Sequence, residues 1–264
     1  MRICSLASGS SGNCIYISSK DTHILIDAGI SGKKAREGLN LLGVTMEQIQ
    51  AILITHEHSD HIKGLGVLAR KYHIPIHTKL STFEAIINKS SLGVIDPMLL
   101  CPVVEDVPFL IGDIQVTAFR SFHDAVDPIG YTFISEGKKI SVATDLGTYN
   151  DYVKMHLANS NLLFIEANHD IRMLEVGPYP FFLKQRILSD LGHLSNDRSA
   201  QLICELYHQG MSHVVLGHLS EENNMPDVAY ASIEFELKNT LKHLRENLKI
   251  VVANRCSNSE LICL

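Results

Sequence analysis

The sequence predicts an α/β (α+β) chain, on three observations. Short apolar runs of strand length recur along it, and between them lie stretches with helical periodicity and helix-cap residues. No low-complexity tract, short-period repeat or linker interrupts the succession. Histidines and aspartates recur in one kind of place, just past the last apolar residue of a strand-like run.

The elements follow in order. Residues 15–17 and 24–26 are apolar, flank the polar stretch 18–22 and read as a hairpin. Ser31 is placed to cap a helix through Leu42, which Gly43 ends. Ala51-Ile52-Leu53-Ile54 reads as a buried strand. Residues 65–72 form a helical run, and Ser81-Thr82-Phe83-Glu84 has capping-box spacing before another. Residues 114–119, 129–134 and 140–143 read as strands, the last two joined through Glu136-Gly137-Lys138. Beyond Asp145 come a strand over 162–166 and a long variable stretch. Ser195 is placed to cap a helix through Gln209, ended by Gly210. A short strand over 214–216 follows, then a helix from Val228 to about Leu244 capped by Asp227, and closing strands at 250–252 and 261–263. The simplest organisation is one domain over 1–264.

Composition narrows the class. A hydrophobic content of 45% and a charged content of 20% fit an ordinary globular protein with a sizeable core. The start MRICSLASGSSGN lacks a signal-type apolar segment and no run reaches membrane-span length, so the expected location is the cytoplasm, with no membrane partner. Cys4, Cys14, Cys101, Cys204, Cys256 and Cys263 are scattered without a C-x-x-C pair, which predicts reduced core thiols rather than disulfides or a zinc ribbon. A net charge of −6 argues against charge-driven, non-specific binding to nucleic acid. It leaves room for a nucleic-acid substrate, because bound cations and local basic groups (Lys33, Lys34 and Arg36; Lys138 and Lys139; Arg172, Lys184 and Arg186) can reverse the potential at a site.

The chemistry concentrates in Thr55-His56-Glu57-His58-Ser59-Asp60-His61. Imidazole favours zinc and similar ions, and carboxylate adds a hard anionic oxygen. The spacing allows a tight loop to aim one pair of ligands at each of two neighbouring ions. His123, Asp145 and His218 occupy the same position type, at the ends of three further strand-like runs, and complete a candidate two-ion set.

T-H-x-H-x-D-H, a spaced His, T-D at a strand end and a late G-H together resemble the metallo-β-lactamase superfamily, and Leu25-Ile26-Asp27-Ala28-Gly29 adds to the likeness. The resemblance implies a four-layer αββα sandwich with metals at one edge. Ser8-Gly9-Ser10-Ser11-Gly12-Asn13 and Gly192-His193-Leu194-Ser195 resemble the WalJ/YycJ family of bacterial proteins, whose members look like DNA exonucleases acting from the 5′ end. Carried over, the likeness gives His56, His58 and His123 to one ion, Asp60, His61 and His218 to the other, and Asp145 as the bridge. Antibiotic-hydrolysing zinc members would have Cys at the bridging position; an oxygen bridge suits paired hard or borderline ions and phosphoester chemistry. By likeness to tRNA-processing nucleases, His193 pairs with Glu166 as a general acid, while His169 stays unassigned.

The expected enzyme is therefore a hydrolase of DNA phosphodiesters, digesting 5′ to 3′ with a hydroxide held between two divalent ions (Zn or Mn, with Fe also suited) and with Asp60, His193 and Glu166 in catalytic roles. The alternatives are a phosphodiesterase of small cyclic or sugar phosphates, an RNA nuclease, a glyoxalase-like thioester hydrolase and a non-enzymatic binding module. The intervals 123–145 and 145–218 are too short for the tRNA-binding arm or extra domain of larger nucleases, which implies a compact enzyme. The stretch 168–191, with Arg172, Lys184, Arg186 and the Gly177-Pro178-Tyr179-Pro180 turn, is a candidate substrate-contacting loop.

Overall fold

A computed structural model describes residues 1–242 and 247–264. Its first sheet contains β1 (Arg2–Ala7), β2 (Cys14–Ser18), β3 (His23–Ile26), β4 (Ala51–Leu53), β5 (Ile76–Thr78), β6 (Leu100–Pro102) and β14 (Ile262–Cys263), in the order β14-β1-β2-β3-β4-β5-β6. The second contains β7 (Phe109–Ile111), β8 (Ile114–Arg120), β9 (Ile129–Ser135), β10 (Lys138–Ala143), β11 (Leu162–Glu166), β12 (His213–Gly217) and β13 (Lys249–Val252), in the order β13-β12-β11-β10-β9-β8-β7.

The alternation of side chains along each strand divides the core into layers. In β3, Ile24 and Ile26 point between the sheets while Leu25 points outward. In β11, Leu162 and Phe164 enter the space between the sheets, while Leu163 and Ile165 pack on the far side. The outer face of the first sheet is covered by α1 (Gly32–Leu41), α3 (Leu65–Tyr72) and α4 (Leu80–Ile87). The outer face of the second is covered by α5 (Asp151–Leu157), α8 (Asn196–Leu206) and α9 (Pro226–Leu241). The layers are therefore αββα. Truncating a large side chain in the middle layer, such as Phe164→Ala, costs about 3–5 kcal/mol by the usual behaviour of packed cores.

Local chemistry explains most element ends. The Ser31 hydroxyl accepts the Lys34 N–H at the start of α1, and that of Ser195 accepts the Arg198 N–H at the start of α8. The β9–β10 hairpin turns on Glu136 and Gly137, both at positive φ, as a two-residue turn of right-handed twist requires.

Three predicted caps and ends differ. Ser81 lies inside α4, whose N-cap is Lys79, and its hydroxyl donates to Asp127 instead. Asp227 sits within the first turn of α9, behind Pro226, and caps nothing with its side chain. The α8 helix stops at Leu206, three residues short of Gln209, as Tyr207 takes an extended backbone. The expected end of the last helix, Leu244, lies outside the described residues. The six cysteines are unpaired, but only Cys4 and Cys14 are core thiols; Cys256 and Cys263 are exposed. Among the described residues no helix is long and apolar enough to cross a membrane.

One edge gathers the strand ends that matter. β3 and β4 are parallel, as are β10, β11 and β12, so their C-terminal ends converge there. β8 joins them because it is antiparallel to β9, which is antiparallel to β10. The loop from Ser8 to Asn13 reaches the same edge from β1.

Candidate metal centre

Each half of the sandwich delivers part of the centre. From the first sheet, β3 leads to Asp27, and β4 leads through Thr55 to His56, His58 and the short helix α2 (Ser59–Ile62), which carries Asp60 and His61. From the second, β8 leads to His123, β10 to Asp145, β11 ends in Glu166 and β12 leads to His218. The predicted residues meet as two triads. Donor atoms of His56, His58 and His123 lie within 4.8 Å of one another, and so do those of Asp60, His61 and His218. Asp145 stands between them: Oδ1 is 3.2 Å from His218 Nε2 and 3.7 Å from His123 Nε2, and Oδ2 is 3.2 Å from His61 Nε2.

The polar atoms left over fit divalent cations. His56 Nε2 and Asp145 Oδ2 are buried and make no hydrogen bond within the protein. An orphaned imidazole nitrogen and an orphaned carboxylate oxygen in contact with further donors are costly unless a cation completes them. The outward nitrogens are already occupied, which fixes the tautomers. His61 Nδ1 donates to Asp27 Oδ2 at 2.7 Å, His123 Nδ1 donates to Gly192 O at 3.0 Å, and His218 Nδ1 donates to Asn13 Oδ1 at 3.2 Å. His56 Nδ1 lies 3.0 Å from the Thr55 hydroxyl.

Charge follows the same plan. Burial, and after it neighbouring imidazoles, push His56, His58 and His123 below the usual histidine range, and the neutral ring is the form that ligates. Against the cost of its own burial, the carboxylates of Asp145, Asp27 and Asp60 hold His61 well above that range. Asp60, despite burial, is lowered to about 2, chiefly by His61. In the protein without cations a proton on His61 thus stands where positive charge is wanted.

Asp27 and Asn13 hold the centre without belonging to either triad. Asp27 Oδ1 accepts the Thr55 N–H at 2.9 Å, tying β3 to the start of the histidine loop. Asn13 accepts the Gly9 N–H through Oδ1 and donates its own backbone N–H to Asp60 O. Gly29 packs so closely there that a Cβ would stand 1.6 Å from Asp60 O. Spacing alone did not single out Asp27 or Asn13; the signal was the polar residue following the apolar run 24–26 and the Asn closing the Gly/Ser turn. Asp27, Asp145 and His218 all take positive φ, at 59°, 56° and 53°. That left-handed turn swings each side chain off the end of its strand and into the centre.

His193 lies against this centre. Its Nδ1 is 3.0 Å from Glu166 Oε2, and its ring stacks on His218 with centroids 5.2 Å apart. Glu166 is fully buried, and its Oε1 accepts the N–H groups of Leu146 and Leu194 at 2.6 and 3.0 Å. Burial and then the charge of Asp145 raise its carboxyl to about 8. His169 is also buried, with neither ring nitrogen partnered within the protein; burial, then His193, hold it down to about 4.

The cations of the 168–191 stretch divide. Lys184 donates to Glu175 O and Arg186 pairs with Asp124, next to His123, so both are turned to structural use. Arg172, in α6 (Ile171–Val176), remains exposed, as do Phe181 and Phe182 at the start of α7 (Phe181–Leu188).

Comparison with known proteins agrees with this layout. A model described as the beta-lactamase superfamily domain matches residues 22–219. Exodeoxyribonuclease YycJ of Bacillus anthracis is 39% identical over 86% of this chain and 86% of its own length. Exodeoxyribonuclease WalJ of Streptococcus pneumoniae is 41% identical over 88% of this chain and 86% of its own. Among solved structures, zinc-bound PqqB from Methylobacterium extorquens superposes with a TM-score of 0.72 over 100% of both chains at 14% identity, a likeness of fold. The chain therefore belongs to the metallo-β-lactamase superfamily and, within it, to the WalJ/YycJ family.

Proposed function

We propose that the chain, acting as one unit over 1–264 in the cytoplasm, is an exonuclease that removes nucleotides from duplex DNA in the 5′-to-3′ direction with two divalent cations. It is a metal-dependent hydrolase of the nuclease kind, a reading supported by its relatives named exodeoxyribonuclease and by its His/Asp clusters. The observation that carries the proposal is the meeting of two donor triads at Asp145, with His193 and Glu166 alongside.

His56, His58 and His123 would hold one cation, Asp60, His61 and His218 the other, and Asp145 would touch both. The ions, zinc or manganese by donor chemistry, supply Lewis acidity toward phosphoryl oxygens and acidify water toward neutral pH. The residues do the rest. Asp27, Asn13 and Gly192 fix the tautomers of His61, His218 and His123, so that Nε2 of each faces inward. Glu166 holds the His193 ring by Nδ1, leaving Nε2 to give a proton to the departing oxygen. Stretch 168–191 serves as a wall for the strand, and Phe181 and Phe182 offer flat faces on which bases stack.

The test is digestion of 5′-phosphorylated duplex DNA with Mn²⁺ by wild type and by Asp60→Ala prepared identically. Mononucleotide release by wild type alone supports the proposal. Release by neither refutes it under those conditions and favours a small phosphodiester, for which a chromogenic diester and a glutathione thioester serve as comparison substrates.

A further inference from the structure

A cavity of about 450 Å³ opens beside the loops that carry Asn13 and His61. Ser11 and Gly12 form one wall, Lys34 of α1 another, and Lys63 and Arg255 close it. It adjoins the donor atoms through both of its loops. Gly12 precedes Asn13, whose amide nitrogen is 3.1 Å from His61 Nε2, and Lys63 comes two residues after His61.

The charge of this cavity is unusual for a chain of net charge −6. Lys34 and Lys63 are exposed and make no ion pair or hydrogen bond through their ammonium groups among the described residues. Arg255 is fixed by Nη2, which donates to Leu219 O at 3.0 Å in the loop that carries His218. Its Nη1 is buried without a hydrogen bond and forms a long ion pair, 3.9 Å, with the exposed Glu221. The one acid in the lining, Glu37, is 3.9 Å from Lys33, a partner on its own helix. Three cations line the pocket against one carboxylate in its wall, Glu37, and this excess of positive charge suits a compact oxyanion.

We infer that this pocket binds a phosphate of the nucleic-acid strand other than the one being cleaved. The inference rests on the nuclease reading for its ligand. The shared chemistry is a phosphate oxyanion, which the strand offers as a terminal 5′-phosphomonoester or as an internal diester. Held at Lys34, Lys63 and Arg255, that phosphate sets how far the strand reaches across the triads and so which bond is presented to them.

The experiment compares wild-type holoenzyme with Lys34→Glu/Lys63→Glu and with a charge-matched control, Lys20→Glu/Lys138→Glu. The control lysines are exposed and lie at the opposite ends of the strands. Binding of a 3′-labelled duplex is read by anisotropy, alongside turnover of 5′-phosphorylated duplex, 5′-hydroxyl duplex and a chromogenic phosphodiester. The pocket variant should keep its metal content, its melting temperature and its turnover of the chromogenic diester within twofold. It should bind DNA at least tenfold more weakly than the control, with a salt slope shallower by about 1 for each phosphate no longer neutralised. Weakening confined to the 5′-phosphorylated duplex identifies a terminal-phosphate site; equal weakening on both duplexes identifies an internal one. DNA affinity equal to the control on both duplexes overturns the inference. Wild type that binds but does not cut DNA defeats the nuclease reading and leaves the pocket to be judged by binding. Wild type that neither binds nor cuts defeats both.

Discussion

Asp27→Asn separates the shape of the centre from its electronic state. Asparagine fits the positive φ of 59° at this position better than other side chains would, and its carbonyl can keep the Thr55 N–H. What changes is the atom facing His61 Nδ1 at 2.7 Å, which becomes an amide N–H. Two donors cannot face each other, so His61 must turn Nδ1 into an acceptor and carry its proton on Nε2, the nitrogen needed by the cation. The loss is one charge-assisted hydrogen bond, about 1.5–3 kcal/mol. Removal of such outer partners of metal ligands generally weakens binding about 10–100-fold. The two estimates agree, since tenfold corresponds to about 1.4 kcal/mol. Competition with a fluorescent chelator, titrated with Mn²⁺, should show the affinity of the Asp60–His61–His218 triad falling by that factor while the triad of His56, His58 and His123 changes less. Affinities of both triads within twofold of wild type would refute the role given to Asp27.

His193→Ala should keep its full metal content and lose about 10²–10⁴-fold in kcat, the range of general-acid catalysis; metal analysis with single-turnover kinetics checks both. Glu166→Gln should keep the Leu146 and Leu194 donors on Oε1 and offer an amide N–H to His193 Nδ1, so it should hold the ring and lose less rate than His193→Ala, which the same kinetics check. Chelator should lower the melting temperature of wild type far more than that of Asp145→Ala, because the donors come from both sheets and a cation at 100 times its Kd adds about 2.7 kcal/mol. Asp113 accepts hydroxyls of Ser19, Thr22 and Ser135, which lower its carboxyl from 3.8 to about 2. Its folded value is depressed, so its contribution is present above pH 3.8 and fades as pH falls toward 2. Urea unfolding of Asp113→Asn should therefore show a deficit at pH 5 that closes near pH 2; a deficit constant across that range would count against the hydroxyl clasp.

How much of this was legible in the chain depends on the reach of each signal. The strands over 24–26 and 51–53 are uniformly apolar, that over 162–166 is apolar up to Glu166, and all three read directly, as do the Ser31 and Ser195 caps. β1, β5, β6 and β7 were missed. β1 lies in a stretch broken by Ser5, and the other three are three residues long with a proline at or beside them (Pro75, Pro102 and Pro108), which demotes a strand signal. Ser81 misled because its spacing to Glu84 is right while its hydroxyl is drawn to Asp127 across the fold. The seven donors of the two triads and their bridge declared themselves by residue type and position. Asp27 and Asn13 did not, since holding a ligand by its far nitrogen leaves no mark of spacing.

The three left-handed residues at the strand ends set stability against activity. A side chain held in that conformation costs about 1–2 kcal/mol, and glycine avoids the cost. Asp145 adds a buried carboxylate whose Oδ2 faces only His61 Nε2, at 3.2 Å. A library of this protein selected only for heat resistance, with chelator present, should therefore drift toward glycine at 145 and 218, and at 27 wherever the bonds of Asp27 can be spared. Positions far apart in the chain would then be picked out together by the substitutions that improve the fold, and the reactive centre would be mapped by what a purely structural selection discards.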